Sequence, residues 1–397
     1  MEKLEQKSEQ PLPENLSITS RNETQSPKPV REYSDPIPVD ILIDIFSRLS
    51  RKTTMRFRCV SKLWGYILRP PDFTELFLTN SYTRPRIFFT VVSNHKLFFY
   101  SSPQPQNPDH NSTLVATRYH TSFPEYFPFD NCSTVCGLTL LQGDYEKKSP
   151  VICNPITGDF ITLPEVKAKA KSSYLGYDPT RKQFKVLCLN PSLYETPKIH
   201  QVLTLESGKH LWREIECGFR FTESGRTGGE VCIDGILYFG AKLEQRWVIV
   251  CFDVRYEKFG FINIDKDMLS EHDTYCRSGF LALFNYKGKL GMRNTSGFRD
   301  TYHFVLWVLE DAGSHKWSKH TYVLPISTIE KWFVGMTGSG EVVLSSYRYN
   351  LQNLFRVYFY NLERKSFTTL DFQGFEEFKY HITINTFVDY VENLKFM

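Results

Sequence analysis

The sequence predicts a mainly β protein with a small N-terminal all-α module, and three observations support this fold class. Aromatic residues, which favour strands, are abundant, with 32 Phe and 22 Tyr. Short runs of β-branched and aromatic residues, bounded by Gly, Pro, Asn or Asp, recur from residue 86 onwards. Apolar residues between positions 41 and 49 instead recur at the offsets of one helix face. A helical segment therefore precedes a long β region.

The size and charge of the chain set broad limits on its function. Its 397 residues exceed the usual length of one domain, although a repetitive all-β fold uses about 300 residues as one unit. The net charge of +4 is too small to indicate a nucleic-acid or membrane partner. We therefore expect neither partner.

The N-terminus and the cysteines predict the compartment. Residues 1–17 contain no apolar stretch suited to a signal peptide, and no later window has the uncharged apolar length of a membrane span. The nine cysteines form an odd set and lie mostly alone inside apolar runs, which is typical of reduced core cysteines. We expect an intracellular protein of the cytoplasm or the nucleus.

The first predicted elements are a tail and three short helices. Residues 1–34 are rich in Glu, Gln, Ser and Pro and are expected to form a flexible, disordered tail. Residues 35–80 form the predicted helical domain. Pro38 suits the first turn of a helix, three apolar sets follow it, and Pro70 and Pro71 end the last helix. The three sets are Ile41, Leu42, Ile45, Phe46 and Leu49; Met55, Phe57, Cys59 and Val60; and Leu63, Trp64, Ile67 and Leu68.

A module of this size cannot bury enough surface to fold robustly alone. It must pack against the C-terminal domain of its own chain or against a partner that covers its apolar face, and both alternatives stay open at this point. Basic residues decorate the same segment, either as a solvated face or as a phosphate-binding stripe. They are Arg51, Lys52, Arg56, Arg58, Lys62 and Arg69.

Residues 81–397 are predicted to form a β-propeller. A turn glycine followed by a strand, and a strand that closes on an Asp, Asn or Glu turn, recur at intervals of roughly 50 residues, the length of a four-stranded kelch-like blade. This spacing predicts a kelch-like propeller of about six blades. The last strand-like run, 381–391, is expected to complete the first blade and close the ring. Strands are expected at 86–92, 96–100, 183–189, 235–240, 247–252, 304–309, 341–344 and 356–360.

The helical segment resembles the F-box, the adaptor-docking module of SCF (Skp-cullin-F-box) ubiquitin ligases. Its residues match the family's Leu-Pro, spaced aliphatic residues and Val-Ser-Lys-x-Trp in order and spacing. The matching residues are Ile37, Pro38, Ile41, Ile45, Leu49, Val60, Ser61, Lys62 and Trp64. The resemblance implies docking on a Skp-family adaptor within a cullin complex. The residues that it implies for adaptor binding are Pro38, Ile41, Leu42, Ile45, Leu49, Val60 and Trp64.

Three positions depart from that family pattern. Ile37 replaces the usual leucine, and Ser50 stands where a proline is common. Thr54 occupies a position of the second helix that is normally apolar. We expect Thr54 to lose apolar contact at the interface and, if the site is buried, to weaken adaptor binding by about 1 kcal/mol.

The β region resembles the F-box-associated domain of the large plant F-box family. The likeness rests on an ordered set of short phrases at 84–86, 153–158, 163–164, 176–179, 185–187 and 212–213. The resemblance implies a domain that holds a target protein. A ubiquitin-conjugating enzyme loaded with ubiquitin then reaches the lysines of that target. Such a receptor acts by proximity and needs no acid, base or nucleophile of its own.

No spacing in the chain indicates a catalytic centre, a metal site or a cofactor. Cys132 and Cys136 lack a second ligand pair, and His315 and His320 are off the spacing of a helical zinc site. The glycine-rich run at 224–229 lacks the lysine and the strand-to-helix setting of a phosphate loop.

We expect a non-catalytic substrate receptor, and two rival interpretations remain. The first is a propeller enzyme or carbohydrate-binding protein with a helical appendix. The second is a nucleic-acid binder that uses the basic helical segment. Tryptophans are candidates for a ligand surface, with core packing as the alternative. They are Trp212, Trp247, Trp307, Trp317 and Trp332.

Overall fold

The computed structural model describes fourteen segments of the chain. They are residues 37–94, 96–105, 112–122, 129–143, 149–165, 172–190, 198–205, 210–223, 229–269, 281–296, 302–325, 331–346, 355–378 and 382–395. The expected tail at 1–34, most of the run at 224–229 and Cys276 lie outside the described residues.

The described chain begins with a helical module of four α-helices: α1 (Val39–Ser47), α2 (Arg51–Phe57), α3 (Lys62–Ile67) and α4 (Pro71–Tyr82). The first three are the helices that the sequence predicts. The fourth helix was not predicted, because Pro70 and Pro71 were interpreted only as the end of the third helix. Pro71 lies at the start of α4, where its missing N–H breaks no intrahelical bond and its fixed φ suits the helix. Asp72 in the first turn adds a favourable charge.

The described β region contains 26 strands. In chain order they are β1 (Arg86–Ser93), β2 (Lys96–Pro103), β3 (Ser112–Val115), β4 (Thr117–Ser122), β5 (Phe129–Val135), β6 (Leu138–Gly143), β7 (Val151–Cys153), β8 (Phe160–Thr162), β9 (Ser172–Asp178), β10 (Gln183–Leu189), β11 (Lys198–Leu205), β12 (Arg213–Cys217), β13 (Thr222–Glu223), β14 (Val231–Ile233), β15 (Ile236–Leu243), β16 (Arg246–Asp253), β17 (Lys258–Asn263), β18 (Ala282–Tyr286), β19 (Lys289–Ser296), β20 (Tyr302–Asp311), β21 (Lys316–Leu324), β22 (Trp332–Met336), β23 (Glu341–Ser345), β24 (Phe355–Asn361), β25 (Ser366–Gln373) and β26 (Thr383–Tyr390).

These strands form the six blades of a propeller, so the predicted count of about six is confirmed. Blade 1 has the order β26-β1-β2-β4, blade 2 is β5-β6-β7-β8 and blade 3 is β9-β10-β11-β12. In blade 4, β13 and β14 both pair with β15, which continues to β16 and β17. Blade 5 is β18-β19-β20-β21, and blade 6 is β22-β23-β24-β25-β3. The first-position strands of neighbouring blades contact one another, for example β22 with β18 and β26, which places them around the propeller axis.

Two strands close the ring between blades 6 and 1. The C-terminal strand β26 pairs antiparallel with β1, with Ile384 opposite Val91, and this confirms the closure expected of the last strand. The short strand β3 leaves blade 1 and pairs in parallel with β25, with Leu114 opposite Phe372. Closure removes the exposed edges that an open sheet would leave.

Buried apolar clusters fill the spaces between neighbouring blades. Phe89 and Phe355 share the cluster between blades 1 and 6, and Leu140 and Phe184 share that between blades 2 and 3. The remaining blade pairs are joined in the same way. The cluster between blades 1 and 2 also takes in side chains of the helical module. The helices and the propeller therefore share one hydrophobic core.

The helical module sits on one end of the propeller, which we call the module end. Tyr82 of α4 lies with its hydroxyl 3.0 Å from Cys136 Sγ in the turn between β5 and β6. Glu75 of α4 forms an ion pair with Lys182 in the turn between β9 and β10. The turns that follow the innermost strands thus lie at the module end. The innermost strands begin at the opposite end of the propeller, which we call the far end.

Candidate protein-docking surface

Helix α1 has apolar residues on two sides. On one side Leu42 and Phe46 are buried in the cluster shared with the propeller, and Leu49 packs against the same cluster. On the other side Ile41 is 47% exposed and Ile45 is 42% exposed. One apolar stripe is enough to hold an amphipathic helix on its own core. The second stripe is therefore left uncovered by the described part of the chain.

An aromatic group forms the centre of the helical module. The ring of Trp64 in α3 lies 5.0 Å from that of Phe46 and 5.1 Å from that of Phe57, measured between centroids, and both pairs are edge-to-face. Phe46 and Phe57 are 5.4 Å apart. Edge-to-face contacts of this kind add about 1 kcal/mol each beyond the area they bury. Trp64 thus joins the three short helices from the inside.

Helix α3 shows the same division between an inner and an outer side. Ser61 begins the helix by accepting a hydrogen bond from Trp64 N at 3.1 Å, and Ile67 is buried. Leu63 and Tyr66 point away from the core and are exposed. Together with the outer side of α1 they form a group that we call the exposed apolar set. It consists of Ile37, Pro38, Val39, Ile41, Ile45, Val60, Leu63 and Tyr66.

A cavity of about 860 Å³ opens beside the exposed apolar set. Its walls combine apolar side chains, among them Val60 and Tyr66, with the cations of Lys62 and Arg69. Val60 and Tyr66 belong to the exposed apolar set, so the cavity is continuous with that surface.

The structure divides the seven residues predicted to bind an adaptor. Four of them are exposed: Pro38, Ile41, Ile45 and Val60. The other three, Leu42, Leu49 and Trp64, pack within the module. Adaptor binding by all seven stays a prediction; Leu42 is buried, and Leu49 and Trp64 are half-buried. Leu63, although it belongs to the third apolar set of the sequence, was not among the residues predicted to bind an adaptor, and neither were Tyr66 and Val39. The helical offset between Leu63 and Tyr66 indicates a common outer side.

Thr54 points into the module and not onto its surface. It is fully buried, and its hydroxyl donates to Ser50 O at 3.1 Å and to Phe46 O at 3.4 Å. The loss of apolar contact expected at an interface therefore does not follow, because the side chain is already enclosed by its own chain. Ser50 in turn caps α2 by accepting a hydrogen bond from Thr53 N.

The basic residues of the segment do not form one continuous face. Arg58 donates from Nη2 to Leu68 O at 2.7 Å, and Arg51 is half-buried. Burial lowers the pKa of both guanidinium groups. Arg56, Lys62 and Arg69 are exposed. Arg58 thus links the end of α2 to the end of α3, and Lys62 and Arg69 line the same cavity as Arg58.

Polar contacts fix the module on the propeller. Arg84, just before β1, donates from Nη2 to Ser47 O at 2.9 Å and from Nη1 to Arg48 O, which closes the C-terminal end of α1. Asn80 of α4 donates to Ser47 Oγ at 2.7 Å. Phe77 of α4 is fully buried in the cluster that contains Phe88 of β1. The exposed apolar set is therefore held in a fixed position relative to the blades.

Comparison with known proteins identifies both parts of the chain. A profile of the F-box associated beta propeller domain matches residues 86–391, and a profile of the F-box domain matches residues 36–76. The chain belongs to the family of F-box proteins with an associated β-propeller. The helical module of this F-box protein thus coincides with the F-box, and α4 continues beyond the matched segment.

Relatives of this F-box protein occur in Arabidopsis thaliana. A putative F-box protein of that plant is 45% identical over 376 residues, which cover 94% of this chain and 96% of the relative. An F-box protein is 44% identical over 378 residues, covering 91% and 82%. The F-box protein DOR is 39% identical over 393 residues, covering 92% and 95%. The matches cover 82 to 96% of these relatives, so each aligns with this chain along most of its length.

Solved structures show only distant likeness to the F-box protein. An alpha-L-arabinanase of Penicillium chrysogenum complexed with arabinobiose gives a TM-score of 0.35 at 9% identity, covering 59% of this chain and 76% of that one. An alpha-L-arabinofuranosidase of Fusarium graminearum gives 0.34 at 9% identity, covering 76% and 92%. Likeness at this level carries no argument about function.

Metal binding and thiol reactivity can be assessed for the described residues of the F-box protein. Within them, no three His, Cys, Asp or Glu side chains lie close enough together to hold a metal ion. Burial raises the pKa of Cys136 and of Cys251 to about 12 and that of Cys232 to about 11. A thiol with a raised pKa is a poor nucleophile, because the thiolate is the reactive form. No helix among the described segments has the length and apolar content to cross a membrane.

The five candidate tryptophans mostly pack inside the blades. Trp307 is buried, Trp247 packs against the cluster between blades 4 and 5, and Trp317 donates its Nε1–H to Asn263 O at 3.4 Å. Trp212 donates to Pro164 O at 2.9 Å. Trp332, at the start of the innermost strand of blade 6, is 43% exposed. Only the last of these five presents a large part of its ring to solvent.

Proposed function

We propose that this F-box protein is the substrate-recognition subunit of an SCF ubiquitin ligase. The exposed apolar set docks on a Skp-family adaptor, which connects the protein to a cullin, and the propeller binds a target protein for ubiquitination. One observation carries the proposal: α1 retains an apolar stripe on its outer side after its inner side has been used for packing.

The physical argument for docking follows from the cost of that stripe in water. Burial of apolar surface contributes about 25 cal/mol per Å², and a stable interface buries about 800 Å² on each partner. Part of this gain is offset by the entropy of association. Ile41, Ile45, Val60, Leu63 and Tyr66 are large and exposed on one small module, which is the composition expected for the centre of an interface.

The seven predicted adaptor-binding residues receive two different roles in this proposal. Pro38, Ile41, Ile45 and Val60 contact the adaptor directly. Leu42, Leu49 and Trp64 support them from the module core, since they pack there. Substitution of the first group weakens binding without a loss of stability, whereas substitution of the second group changes both.

The target is proposed to bind at the far end of the propeller. The helical module covers part of the module end, where hairpin turns are as short as Cys136 and Gly137 or Lys287 and Gly288. Several connections at the far end are longer, for example 346–354 between β23 and β24 and 264–281 between β17 and β18, beside short turns such as 94–95 and 244–245. Long connections on a rigid scaffold are the usual place for recognition. The protein contributes proximity and no catalytic group.

Adaptor binding is tested by exchanging apolar for charged residues on the outer side of α1. The double variant Ile41→Asp, Ile45→Asp is expected to bind a Skp-family adaptor about 100-fold more weakly in a calorimetric titration, since two carboxylates would be desolvated at the interface. The matched control is Leu211→Asp, Tyr256→Asp, which alters two propeller residues that are 68% and 61% exposed. Its adaptor affinity is expected to equal that of the wild type.

Both variants should melt within a few degrees of the wild type, because exposed substitutions change stability little. Equal affinity of the Ile41, Ile45 variant and the wild type would remove the basis of the proposal. The nucleic-acid alternative has fewer exposed cations than the sequence offered, because Arg51 and Arg58 are half-buried.

A further inference from the structure

Two cations lie on aromatic rings between blades 5 and 6. The guanidinium of Arg293 in β19 is 4.6 Å from the centre of the Phe333 ring in β22. Lys331, two residues before Phe333, has its ammonium 4.3 Å from the centre of the Tyr358 ring in β24. Phe333 and Tyr358 both pack against the apolar cluster between these blades. We call Arg293, Lys331 and the two rings the cationic cleft.

The cationic cleft lies toward the far end of the propeller. Strand β22 starts at Trp332 and runs to the turn at 337–340, where Gly338 N donates to Asp389 Oδ2 at 2.8 Å. Asp389 is close to the module end, since its neighbour Tyr390 donates to Gly137 O in the turn between β5 and β6. The start of β22 is therefore at the opposite end. Arg293 is five residues beyond the turn glycine Gly288, in the same direction.

A comparable cation in blade 1 shows what the cleft lacks. Arg118 also lies over a ring, 4.5 Å from the centre of Phe98, and its Nη1 donates to Glu377 Oε2 at 2.9 Å. The ring face and the carboxylate together satisfy that guanidinium. Arg293 has the ring alone, because no carboxylate among the described residues is within ion-pair distance of it. Its Nε is buried without a hydrogen-bond partner there.

A half-buried guanidinium with a buried N–H and no acceptor is costly, because its desolvation is not compensated. Cation–π contact offsets part of that cost but leaves the in-plane N–H donors free. Lys331 likewise has no carboxylate partner among the described residues. The cleft thus presents donors and two positive charges, and a carboxylate is the group that completes them.

We propose that the cationic cleft binds an acidic peptide segment of a target protein. Arg293 donates to a carboxylate of that segment as Arg118 does to Glu377, and Lys331 attracts a second one. The inference rests on the proposed function, because it assigns target binding to the far end of the propeller.

The probe for this site is a short fluorescein-labelled peptide of alternating glutamate and tyrosine, with a glutamine and tyrosine peptide as its uncharged counterpart. Binding to the full chain is followed by fluorescence anisotropy. The wild type is expected to prefer the glutamate peptide by about tenfold or more. The preference should shrink as salt rises from about 50 to about 300 mM, because partly exposed charges are screened.

The double variant Arg293→Gln, Lys331→Gln is expected to lose this preference. The matched control is Lys242→Gln, which removes a cation 4.7 Å from the ring centre of Trp247 in blade 4 and should keep the preference. Arg293→Lys should retain only part of it, because an ammonium cannot donate in the forked manner of a guanidinium.

Equal binding of the two peptides by the wild type would overturn the inference, and this result does not depend on any variant folding. An unchanged preference in the double variant would overturn it as well. These measurements distinguish a failure of the inference from a failure of the proposed function. The double variant should keep its adaptor affinity, and the Ile41→Asp, Ile45→Asp variant should keep its preference for the glutamate peptide.

Discussion

At the residue scale, neighbours in the sequence have opposite roles. Ile41 is exposed and Leu42 is buried, although both are aliphatic and adjacent. Successive residues of an α-helix are turned by about 100°, so that two neighbours on the edge of a stripe face different surroundings. Which aliphatic residue of α1 packs inward was decided by the position of the propeller. The same applies to Thr54, whose polar side chain is enclosed and bonded to backbone carbonyls.

Thr54→Val tests whether this residue acts inside the module or at an interface. The substitution keeps the volume and removes the hydroxyl, whose acceptor Ser50 O already receives the Thr54 N–H. We expect the free energy of unfolding to change by less than about 1 kcal/mol and the adaptor affinity to stay the same. Urea denaturation and a calorimetric titration measure the two quantities. A clear gain in adaptor affinity would show that Thr54 contacts the partner after all.

At the element scale, polar contacts join strands that are distant in the sequence. Lys185 of β10 is buried and donates to Glu257 Oε1 at 2.7 Å, in the turn between β16 and β17. Arg213 of β12 donates to the same carboxylate. Burial alone would raise the pKa of Glu257, but the hydrogen bonds and charges of Arg213 and Lys185 outweigh it and hold the pKa below its ordinary value. This group links blades 3 and 4 at the module end.

Glu257→Gln is expected to destabilise the protein by about 2 kcal/mol or more at pH 7, because Lys185 is left buried without a counter-charge. The pKa of Glu257 is lower in the folded state than in the unfolded state. Its contribution to the free energy of unfolding is therefore complete above the unfolded pKa of about 4.3, and it is lost as the pH falls through the folded pKa. The gap between variant and wild type should therefore be large at neutral pH and small in acid. Urea denaturation at both pH values measures it.

The control for this experiment is Glu363→Gln, which alters a side chain that is 84% exposed and 3.7 Å from Lys287. Exposed pairs of this kind contribute little, so its stability should follow that of the wild type at every pH. A gap for Glu257→Gln that is independent of pH would contradict the assignment of the effect to the carboxylate.

At the scale of the whole molecule, the C-terminal segment unites the ring with the F-box. Leu394 is fully buried in the cluster that contains Phe46 of α1 and Phe88 of β1. Asn154 donates from Nδ2 to Asn393 O at 2.9 Å, and Gly137 has φ +82° and room for no Cβ, because Asn393 packs against it. The last residues therefore hold together blade 1, blade 2 and the helical module.

Deletion of 391–397 is expected to lower the melting temperature in a single transition and to weaken adaptor binding at the same time. The reason is that loss of a fully buried leucine and its neighbours opens the cluster shared by both parts, at a cost of about 3 kcal/mol or more. Calorimetry and adaptor titration provide the two readouts. Deletion of 396–397 alone serves as the control and should have little effect. Two separate transitions, with adaptor binding intact, would mean that the module folds independently of the propeller.

The sequence by itself determined the class of the fold, because strand and helix periodicities are local. The helices at 39–67, eight of the strands, the six-fold repeat and the closing strand all follow from the spacing of apolar residues and turns. It also marked Ile41, Ile45 and Val60 as apolar residues on a small module. Family resemblance, and not spacing, connected that module with an adaptor.

Only the tertiary structure decided which apolar residues remain on the surface. Leu42, Leu49 and Trp64 have the same sequence character as the exposed residues, but the propeller and the neighbouring helices cover them. The cationic cleft could not be read from the sequence for the same reason, since Arg293 and Phe333 are 40 residues apart and meet only when blades 5 and 6 pack together. Burial and charge compensation depend on what the fold places nearby, and a periodicity along the chain carries no information about that.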